Sequence, residues 1–358
     1  MANDHRRYVP ILRAKQGEFA ALGETEAAVK DRLTPLIELT PISYEPDDDG
    51  DVEVRVDPSF PQVVRRLEQH WGTDLPVFVD LGFVPSASYI AGGKHPVEFV
   101  AHEAREAGVQ AVFVTDLHRD DPHQAAIRAG AQEDRRGVCV RLTAEDFDDL
   151  AATAAELEAV LTELAVDRAD ADLILDLGEI GQAGTLAATG LIRGLPNIAD
   201  WRSVILAATA FPRVANFSAN TVNTSPRTEW TVWRNVLAQA DDLPRMPGFG
   251  DYTVVGVQTA YEQTAAFYRP SPNLRYTTAD DYLVLKARHA RHGHDQFNDL
   301  CRTMVGRGDF AGAAFSRADR YINRCAENSD GPGNAMTWLK VGINHHLATV
   351  AAQISSLP

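Results

Sequence analysis

Acidic residues recur at the ends of short apolar segments along this chain of 358 residues. The four that stand out are Glu38, Asp80, Asp116 and Asp176. Carboxylate oxygens are the ligands that Mg²⁺ and Mn²⁺ prefer, and such an ion can polarise a phosphoryl group and activate water. We therefore expect these residues to be the catalytic groups and metal ligands of a metal-assisted hydrolase, with a phosphoester or nucleotide-like substrate and Mg²⁺ or Mn²⁺ as cofactor.

The same carboxylates also permit chemistry without a metal. Two of them could act as general acid and general base, as in glycoside hydrolysis, if their separation suits that reaction. A charged residue at a strand end is also often a solvated boundary or a cap for the next helix. Recurrence in four segments favours an active site, because like charges brought so close must be neutralised by cations or by protonation.

Cationic and aromatic side chains near these segments are candidates for substrate binding. Lys15 follows the first apolar segment, Arg141 lies in another, and Arg275 lies late in the chain. Lysine and arginine at such positions would hold a phosphate or carboxylate group. Tyr276 is a candidate to stack against a base or a sugar. His345 and His346 adjoin in a predicted helix and point in different directions, so a joint metal site is not expected there.

The elements that must position these residues follow from the hydrophobic pattern. Apolar runs of strand length alternate with amphipathic helical stretches, which is the pattern of parallel βαβ units. The predicted strands are Tyr8–Arg13, Thr34–Leu39, Val77–Leu81, Ala111–Asp116, Val138–Leu142, Leu173–Leu177, Val204–Ala208 and Asp251–Val257. The predicted helices between and after them are Glu18–Leu33, Pro58–Gly72, Pro96–Gly108, Asp121–Gly130, Ala144–Leu164, Gly184–Leu195 and Arg227–Asp241.

Eight such strands suit a closed barrel or a long open sheet, since both bury parallel strands on two faces. The turn after the first strand, Arg13 to Glu18, lacks the GxGxxG pattern expected of a dinucleotide-binding sheet. We therefore predict an α/β fold, a (β/α)8 TIM-type barrel. In such barrels the functional side chains lie at the carboxyl ends of the strands, where the four acidic residues would converge.

The pattern changes after the eighth strand. Residues Asn273–Thr278 and Tyr282–Arg288 alternate like a hairpin. The predicted helices that follow are Phe297–Val305, Phe310–Glu327 and Ala335–Ile354. The predicted organisation is a barrel core at 1–270, an inserted β-hairpin at 271–292, and a helical C-terminal extension packed on the barrel at 293–358.

A second hypothesis is that the chain is a non-catalytic barrel that recognises a protein partner, as a subunit of a bacterial defence or phage complex. It predicts that the C-terminal helices present an apolar surface for docking or self-association. The residues expected to form this surface are Phe310, Phe315, Tyr321, Trp338 and Leu347.

Composition limits the remaining classes. The formal net charge of −16 disfavours nucleic acid as the main partner, because nucleic-acid-binding proteins usually present a basic face. Arginines at 302, 307, 317, 320 and 324 leave a weaker option of that kind. Three scattered cysteines indicate a reducing compartment. An N-terminus without an apolar signal region and the lack of a membrane-length apolar run predict a cytoplasmic protein.

Several segments resemble the beta protein family of bacteria and bacteriophages. They are YVPILRAKQGEF at 8–19, LTPLIE at 33–38, FGDY at 249–252, NLRYTT at 273–278 and YLVLK at 282–286. The resemblance spans nearly the whole chain and implies a phage- or defence-linked role, without a known set of catalytic residues. It draws attention to further polar residues within the matching motifs, Glu18, Asp251 and Lys286, and we add Asp251 and Lys286 to the predicted substrate-binding residues.

Overall fold

In the computed structural model, the predicted barrel is present and closed. The structure describes residues 4–39, 43–46, 52–55, 62–84, 94–181, 184–257, 271–288 and 293–357. The strands are β1 (Tyr8–Arg13), β2 (Leu36–Glu38), β3 (Ser43–Pro46), β4 (Val52–Arg55), β5 (Val77–Asp80), β6 (Ala111–Thr115), β7 (Val138–Leu142), β8 (Ala171–Glu179), β9 (Ser203–Thr209), β10 (Thr221–Pro226), β11 (Gly248–Asp251), β12 (Asn273–Thr277) and β13 (Asp281–Lys286).

Eight of these strands form the barrel, all paired in parallel, in the order β1, β2, β5, β6, β7, β8, β9 and β11, with β11 returning to β1. Their side chains are apolar on both faces. Ile11, Phe78 and Ile174 fill the barrel interior, and Leu12, Val79 and Leu175 pack against the surrounding helices. This two-sided burial explains why the strands appear in the sequence as continuous apolar runs.

The helices alternate with the barrel strands and then continue beyond them. They are α1 (Gln16–Gly23), α2 (Ala27–Lys30), α3 (Gln62–His70), α4 (Pro96–Glu106), α5 (Asp121–Asp134), α6 (Leu150–Leu164), α7 (Gly184–Gly194), α8 (Thr228–Leu237), α9 (Gln296–Val305), α10 (Arg317–Ala326) and α11 (Ala335–Ser355). Among the described residues, no helix is both long enough and apolar enough to cross a membrane.

Two predicted helices are shorter than expected. The segment 18–33 forms α1 and α2 rather than one helix, because α1 ends at Gly23 and Glu26 takes an extended conformation before α2. Glycine has a low helix propensity, which favours an end at this point. The segment 310–327 becomes helical only at Arg317, where the Ser316 hydroxyl caps α10 by accepting from the Asp319 N–H.

The last barrel strand begins three residues earlier than predicted. The chain is extended from Gly248 to Asp251, and the segment after Asp251 is a turn. Gly250 interrupts the apolar run, so the hydrophobic pattern does not reveal this strand. Glycine is nevertheless required here, because there is no room for a side chain. A Cβ there would lie 2.9 Å from the Cβ of Ala207 on β9.

The predicted hairpin is confirmed as β12 and β13. It is not isolated, because β10 pairs with β13 and completes a three-stranded antiparallel sheet in the order β10, β13, β12. The hydrophobic pattern does not reveal β10, which is polar, partly exposed and ends in Pro226, as edge strands often do. The hairpin is therefore joined to the segment before β11 as well as to the C-terminal helices.

The C-terminal helices pack on this small sheet and form a second core with it. This core includes Leu274, Tyr276, Phe297, Ile322 and Trp338. The prediction that these helices present an exposed apolar surface is wrong, whereas a partner for them stays a prediction. Trp338 and Leu347 are buried, and the other three residues predicted for it, Phe310, Phe315 and Tyr321, are half-buried. The reason is that the helices use their apolar faces to cover β12, β13 and α1.

Candidate functional site

The carboxyl-end mouth of the barrel is organised around one guanidinium, that of Arg141 on β7. Nη1 donates to Glu38 Oε1 at 2.9 Å and to Asp80 Oδ2 at 2.8 Å. Nε and Nη2 both donate to Asp176 Oδ2, at 3.0 and 2.7 Å, and Nη2 also donates to the Tyr252 hydroxyl at 2.7 Å. An arginine has five N–H donors. All five therefore have acceptors within the protein.

Strand register explains why these groups meet. Arg13 at the end of β1 lies beside Glu38 at the end of β2, and Glu38 lies beside Asp80 at the end of β5. Parallel strands in this register present their last side chains at one level of the mouth. Arg141 then reaches this level from β7, which lies two strands beyond β5 in the barrel order.

The side chain of Asp176 has a partner for each oxygen. Oδ2 accepts from Arg141 and from the Tyr252 hydroxyl, and Oδ1 accepts from the Gly178 N–H at 3.0 Å. Tyr252 follows β11 and is buried, and burial beside Asp176 raises the pKa of its hydroxyl well above the usual range. Tyr252 therefore acts as a neutral hydrogen-bond donor that holds Asp176 in place.

Asp116 stands apart from the other three predicted acidic residues. Its carboxylate pairs with Arg119 Nη2 at 2.6 Å, and this nitrogen lies 3.9 Å from Asp80 Oδ1. Within the part of the chain that the structure describes, no group of three or more His, Cys, Asp or Glu side chains is placed to hold a metal ion. The cation that neutralises Glu38, Asp80 and Asp176 is Arg141, so the assignment of a metal to these residues stays a prediction.

A small cavity of about 190 Å³ opens at this mouth. Its lining includes Glu38, Asp80, Phe83, Asp116, Arg119 and Arg141. Burial raises the pKa of Glu38, and the nearby charge of Asp80 adds to this effect, while Arg141 and Arg13 oppose it. A carboxyl group with a raised pKa next to ionisable neighbours is suited to proton transfer.

Two of the predicted substrate-binding residues, Lys15 and Arg275, lie together in a second cavity of about 780 Å³. We call it the side cavity. It lies between the start of α1, the small sheet and the C-terminal helices, and its lining includes Lys15, Glu18, Arg275, Phe297, Met336 and Leu339. Arg275 is anchored by Nη1, which donates to the carbonyl of Val254 at 2.6 Å, and by Nε, which donates to Asn273 at 3.1 Å.

Besides Arg141, three further residues predicted to bind substrate have partners within the protein. Asp251 is fully buried and accepts from the Tyr8 hydroxyl at 2.6 Å. The Tyr276 hydroxyl donates to Asp319 at 2.7 Å. The ammonium of Lys286 donates to three carbonyls, those of Val214, Ala215 and Phe217. The structure does not bring these three residues to the mouth cavity or the side cavity.

The sequence model of a family described as Beta protein matches residues 8–352. The chain belongs to the Beta protein family. No curated protein matches it.

Several solved structures are similar to this Beta protein family member. The type I 3-dehydroquinate dehydratase of Clostridium difficile is 11% identical, with a TM-score of 0.40 over 74% of this chain and 91% of that one. The triosephosphate isomerase of Bartonella henselae is 10% identical, with a TM-score of 0.35 over 70% and 94%. A tryptophan synthase α-subunit mutant of Pyrococcus furiosus is 12% identical, with a TM-score of 0.40 over 70% and 89%. The likeness concerns the fold alone.

The segments that resemble the Beta protein family contribute to both cavities and to the core between them. Arg13 and Arg119 are mouth residues that the sequence analysis did not select. Arg13 ends β1, and the rule that singled out acidic residues at strand ends would have found it if applied to cations. Arg119 lies in the loop after β6, and nothing in the sequence indicates that it bridges Asp116 and Asp80.

Proposed function

We propose that this Beta protein family member is a hydrolase that cleaves a glycosidic bond at the carboxyl-end mouth of the barrel, with Glu38 as general acid and Asp80 as its carboxylate partner. The observation that carries the proposal is that both carboxyl groups line the mouth cavity and accept from the same nitrogen of Arg141. This shared donor fixes two acidic groups side by side in the lining of one cavity.

The separation of the two groups is compatible with this chemistry. Because Glu38 Oε1 and Asp80 Oδ2 share one donor, they lie within about 6 Å of each other, and this limit includes the roughly 5–5.5 Å between the carboxyl groups of retaining glycosidases. Burial raises the pKa of Glu38, which favours the protonated form needed by an acid. Asp80 Oδ1 accepts from the Gly82 N–H at 2.7 Å, and this bond together with Arg141 holds the side chain in place.

In the reaction, Glu38 would give its proton to the glycosidic oxygen as the bond to the anomeric carbon breaks. Asp80 would attack that carbon and form a glycosyl ester. Water would then cleave the ester while Glu38 takes a proton from it, so that both carboxyl groups return to their first state. Arg141 is a positioning residue in this scheme, since its donors are all held by the protein.

The charge of the mouth favours a neutral substrate over a phosphoester. With Glu38 protonated as the general acid, the carboxylates of Asp80, Asp116 and Asp176 face the guanidiniums of Arg13, Arg119 and Arg141, and these pair with one another or with Glu38. The mouth therefore has no excess of positive charge to attract a phosphoester.

A panel of 4-nitrophenyl glycosides tests the proposal, with 4-nitrophenyl phosphate and bis(4-nitrophenyl) phosphate assayed beside it, with and without Mn²⁺. Glu38→Gln and Asp80→Asn should each lower glycoside turnover at least about a hundredfold. The matched control Glu145→Gln changes an exposed residue and should keep full turnover. Glycoside turnover that survives Glu38→Gln, or turnover confined to phosphoesters with Mn²⁺, would refute the assignment, and the second result would favour the metal-assisted reaction.

A further inference from the structure

The side cavity contains a buried carboxylate with an unused oxygen. Glu18 lies in the first turn of α1, and only 2% of its surface is exposed. Its Oε2 is shielded from solvent and has no hydrogen-bond partner among the described residues. A buried carboxylate oxygen without a donor is costly, so a ligand that donates to it would remove this cost. Glu18 also lines the cavity, where a ligand can approach it.

The cationic groups of the cavity lie near Glu18 but do not pair with it. Lys15 and Arg275 both act on the charge of Glu18, but neither forms a hydrogen bond to its carboxylate within the described part of the chain. Arg275 is held by Asn273 and Val254 through Nε and Nη1, so its Nη2 is directed by these anchors rather than by Glu18. The cavity thus keeps one negative and two positive groups separate.

Part of the cavity lining is apolar. Phe297, Leu339 and Met336 line it, and Met336 is one of two large apolar side chains among the described residues that are strongly exposed, at 43%. An exposed methionine next to a buried phenylalanine offers a surface that an apolar group of a ligand would cover. The volume of about 780 Å³ is in the usual range for small-molecule sites.

From this arrangement we infer that the side cavity binds a small zwitterion with an apolar side chain, such as a free hydrophobic α-amino acid. The ammonium of the ligand donates to Glu18 Oε2, its carboxylate accepts from Lys15 and Arg275, and its side chain packs against Phe297, Leu339 and Met336. The site is separate from the mouth cavity and does not depend on the hydrolase proposed above.

Isothermal titration calorimetry of the full chain with L-phenylalanine, L-leucine and L-methionine tests this inference. At least one of the three should bind at micromolar to millimolar concentrations. The same ligand with an acetylated amino group should bind about ten- to a hundredfold more weakly, because it cannot donate to Glu18 as a cation. The ligand with its carboxylate converted to an amide should lose a similar factor, because it cannot pair with Lys15 and Arg275.

Variants assign the two ends of the ligand to the two sides of the cavity. Glu18→Gln should weaken the free amino acid about tenfold or more and leave the acetylated form unchanged. Lys15→Gln alters an exposed residue, so it keeps the fold, and it should weaken the free amino acid but not the amide. Glu26→Gln, an exposed change three residues beyond α1, is the matched control and should have no effect.

Three results would overturn the inference. Absence of heat with all three amino acids at millimolar concentration would show that the cavity does not take this class of ligand. Equal binding of the free and acetylated forms would indicate that the cavity recognises only the carboxylate of the ligand and that Glu18 has no role. Binding that Glu18→Gln and Lys15→Gln leave unchanged would place the ligand elsewhere.

Discussion

His346 on the C-terminal helix α11 and Asp251 at the end of the barrel strand β11 form a buried pair, with Nε2 2.8 Å from Oδ2. Both side chains are fully shielded from solvent. The other ring nitrogen of His346 lies 2.8 Å from the Thr277 hydroxyl on β12, and the other oxygen of Asp251 accepts from Tyr8 and from the Thr253 N–H. One histidine therefore connects the barrel, the small sheet and the C-terminal helices.

Replacement of His346 should destabilise the whole chain rather than its C-terminal part alone. His346→Leu removes the partner of a buried carboxylate, and such losses are about 3–5 kcal/mol in the free energy of unfolding. Urea unfolding followed by circular dichroism should show one transition at a lower midpoint. A matched control is His102→Leu, since His102 is an exposed residue of α4. A first transition confined to the C-terminal helices would contradict the connecting role.

Removal of the Arg141 guanidinium should be among the most destabilising single changes at the mouth. Arg141→Met leaves Glu38, Asp80 and Asp176 buried together without their shared cation, for a loss of about 3–5 kcal/mol in the free energy of unfolding. Arg141→Lys keeps the charge but not the five donors, so its free energy of unfolding should lie between those of Arg141→Met and the wild type. Arg193→Met, which breaks an exposed pair with Asp242, should change stability by less than about 1 kcal/mol. An unchanged urea midpoint for Arg141→Met would refute the role.

Glu229 on α8 should make stability depend on pH in a direction unusual for a carboxyl group. Burial raises its pKa to about 7 in the folded state, against the smaller opposing effects of Arg227 and of the Tyr282 hydroxyl that donates to it. A carboxyl group with a raised folded pKa favours the folded state at low pH, and this contribution is lost as pH rises from the unfolded pKa of about 4.5 through 7.

The measurement is the difference in unfolding free energy between wild type and Glu229→Gln as a function of pH. Between pH 4.5 and 8, the free energy of unfolding of the wild type should fall by on the order of 3 kcal/mol relative to the variant, because a shift of one pKa unit corresponds to about 1.4 kcal/mol. Any constant offset from the altered hydrogen bond to the Ala210 N–H does not vary with pH. Parallel curves for the two proteins would show that Glu229 titrates normally in the folded state.

The sequence was sufficient to predict the barrel and the level of the mouth residues. Parallel strands that are buried on both faces appear as apolar runs, and the charged residue that ends each run lies at the carboxyl end by construction. Glu38 and Asp80 were found in this way, and their register in β2 and β5 places them side by side. The hairpin was found from its alternation for a similar reason.

The partners of these residues were not predictable by the same means. Arg141 reaches Glu38 across 103 positions of sequence, and His346 reaches Asp251 across 95, so no local period records either contact. Arg141 was expected to hold a substrate anion, and the structure gives all its donors to protein acceptors. These contacts depend on side-chain length and on the closure of the barrel, and neither can be inferred from residue spacing.

The strand that was misplaced in the sequence analysis leads to a further prediction. Gly250 lies in β11, where an added Cβ would be 2.9 Å from the Cβ of Ala207 and 3.2 Å from Cγ2 of Ile205. Gly250→Ala should therefore push β11 from β9 and destabilise the fold by about 1–3 kcal/mol, as overpacked cores do. The strain would also move Asp251 and Tyr252, the next two residues, so the variant should weaken both the His346 pair and the Asp176 hydrogen bond.

Gly190→Ala is the matched control for this substitution, since it lies in α7 with no atom within 4 Å of the new Cβ. It should stabilise the chain by about 0.5–1 kcal/mol through helix propensity alone. Thermal melting should thus shift in opposite directions for two chemically identical changes. If Gly250→Ala melted at or above the wild-type temperature, β11 would have room for a side chain, and close approach to β9 would not be the reason for glycine at this position.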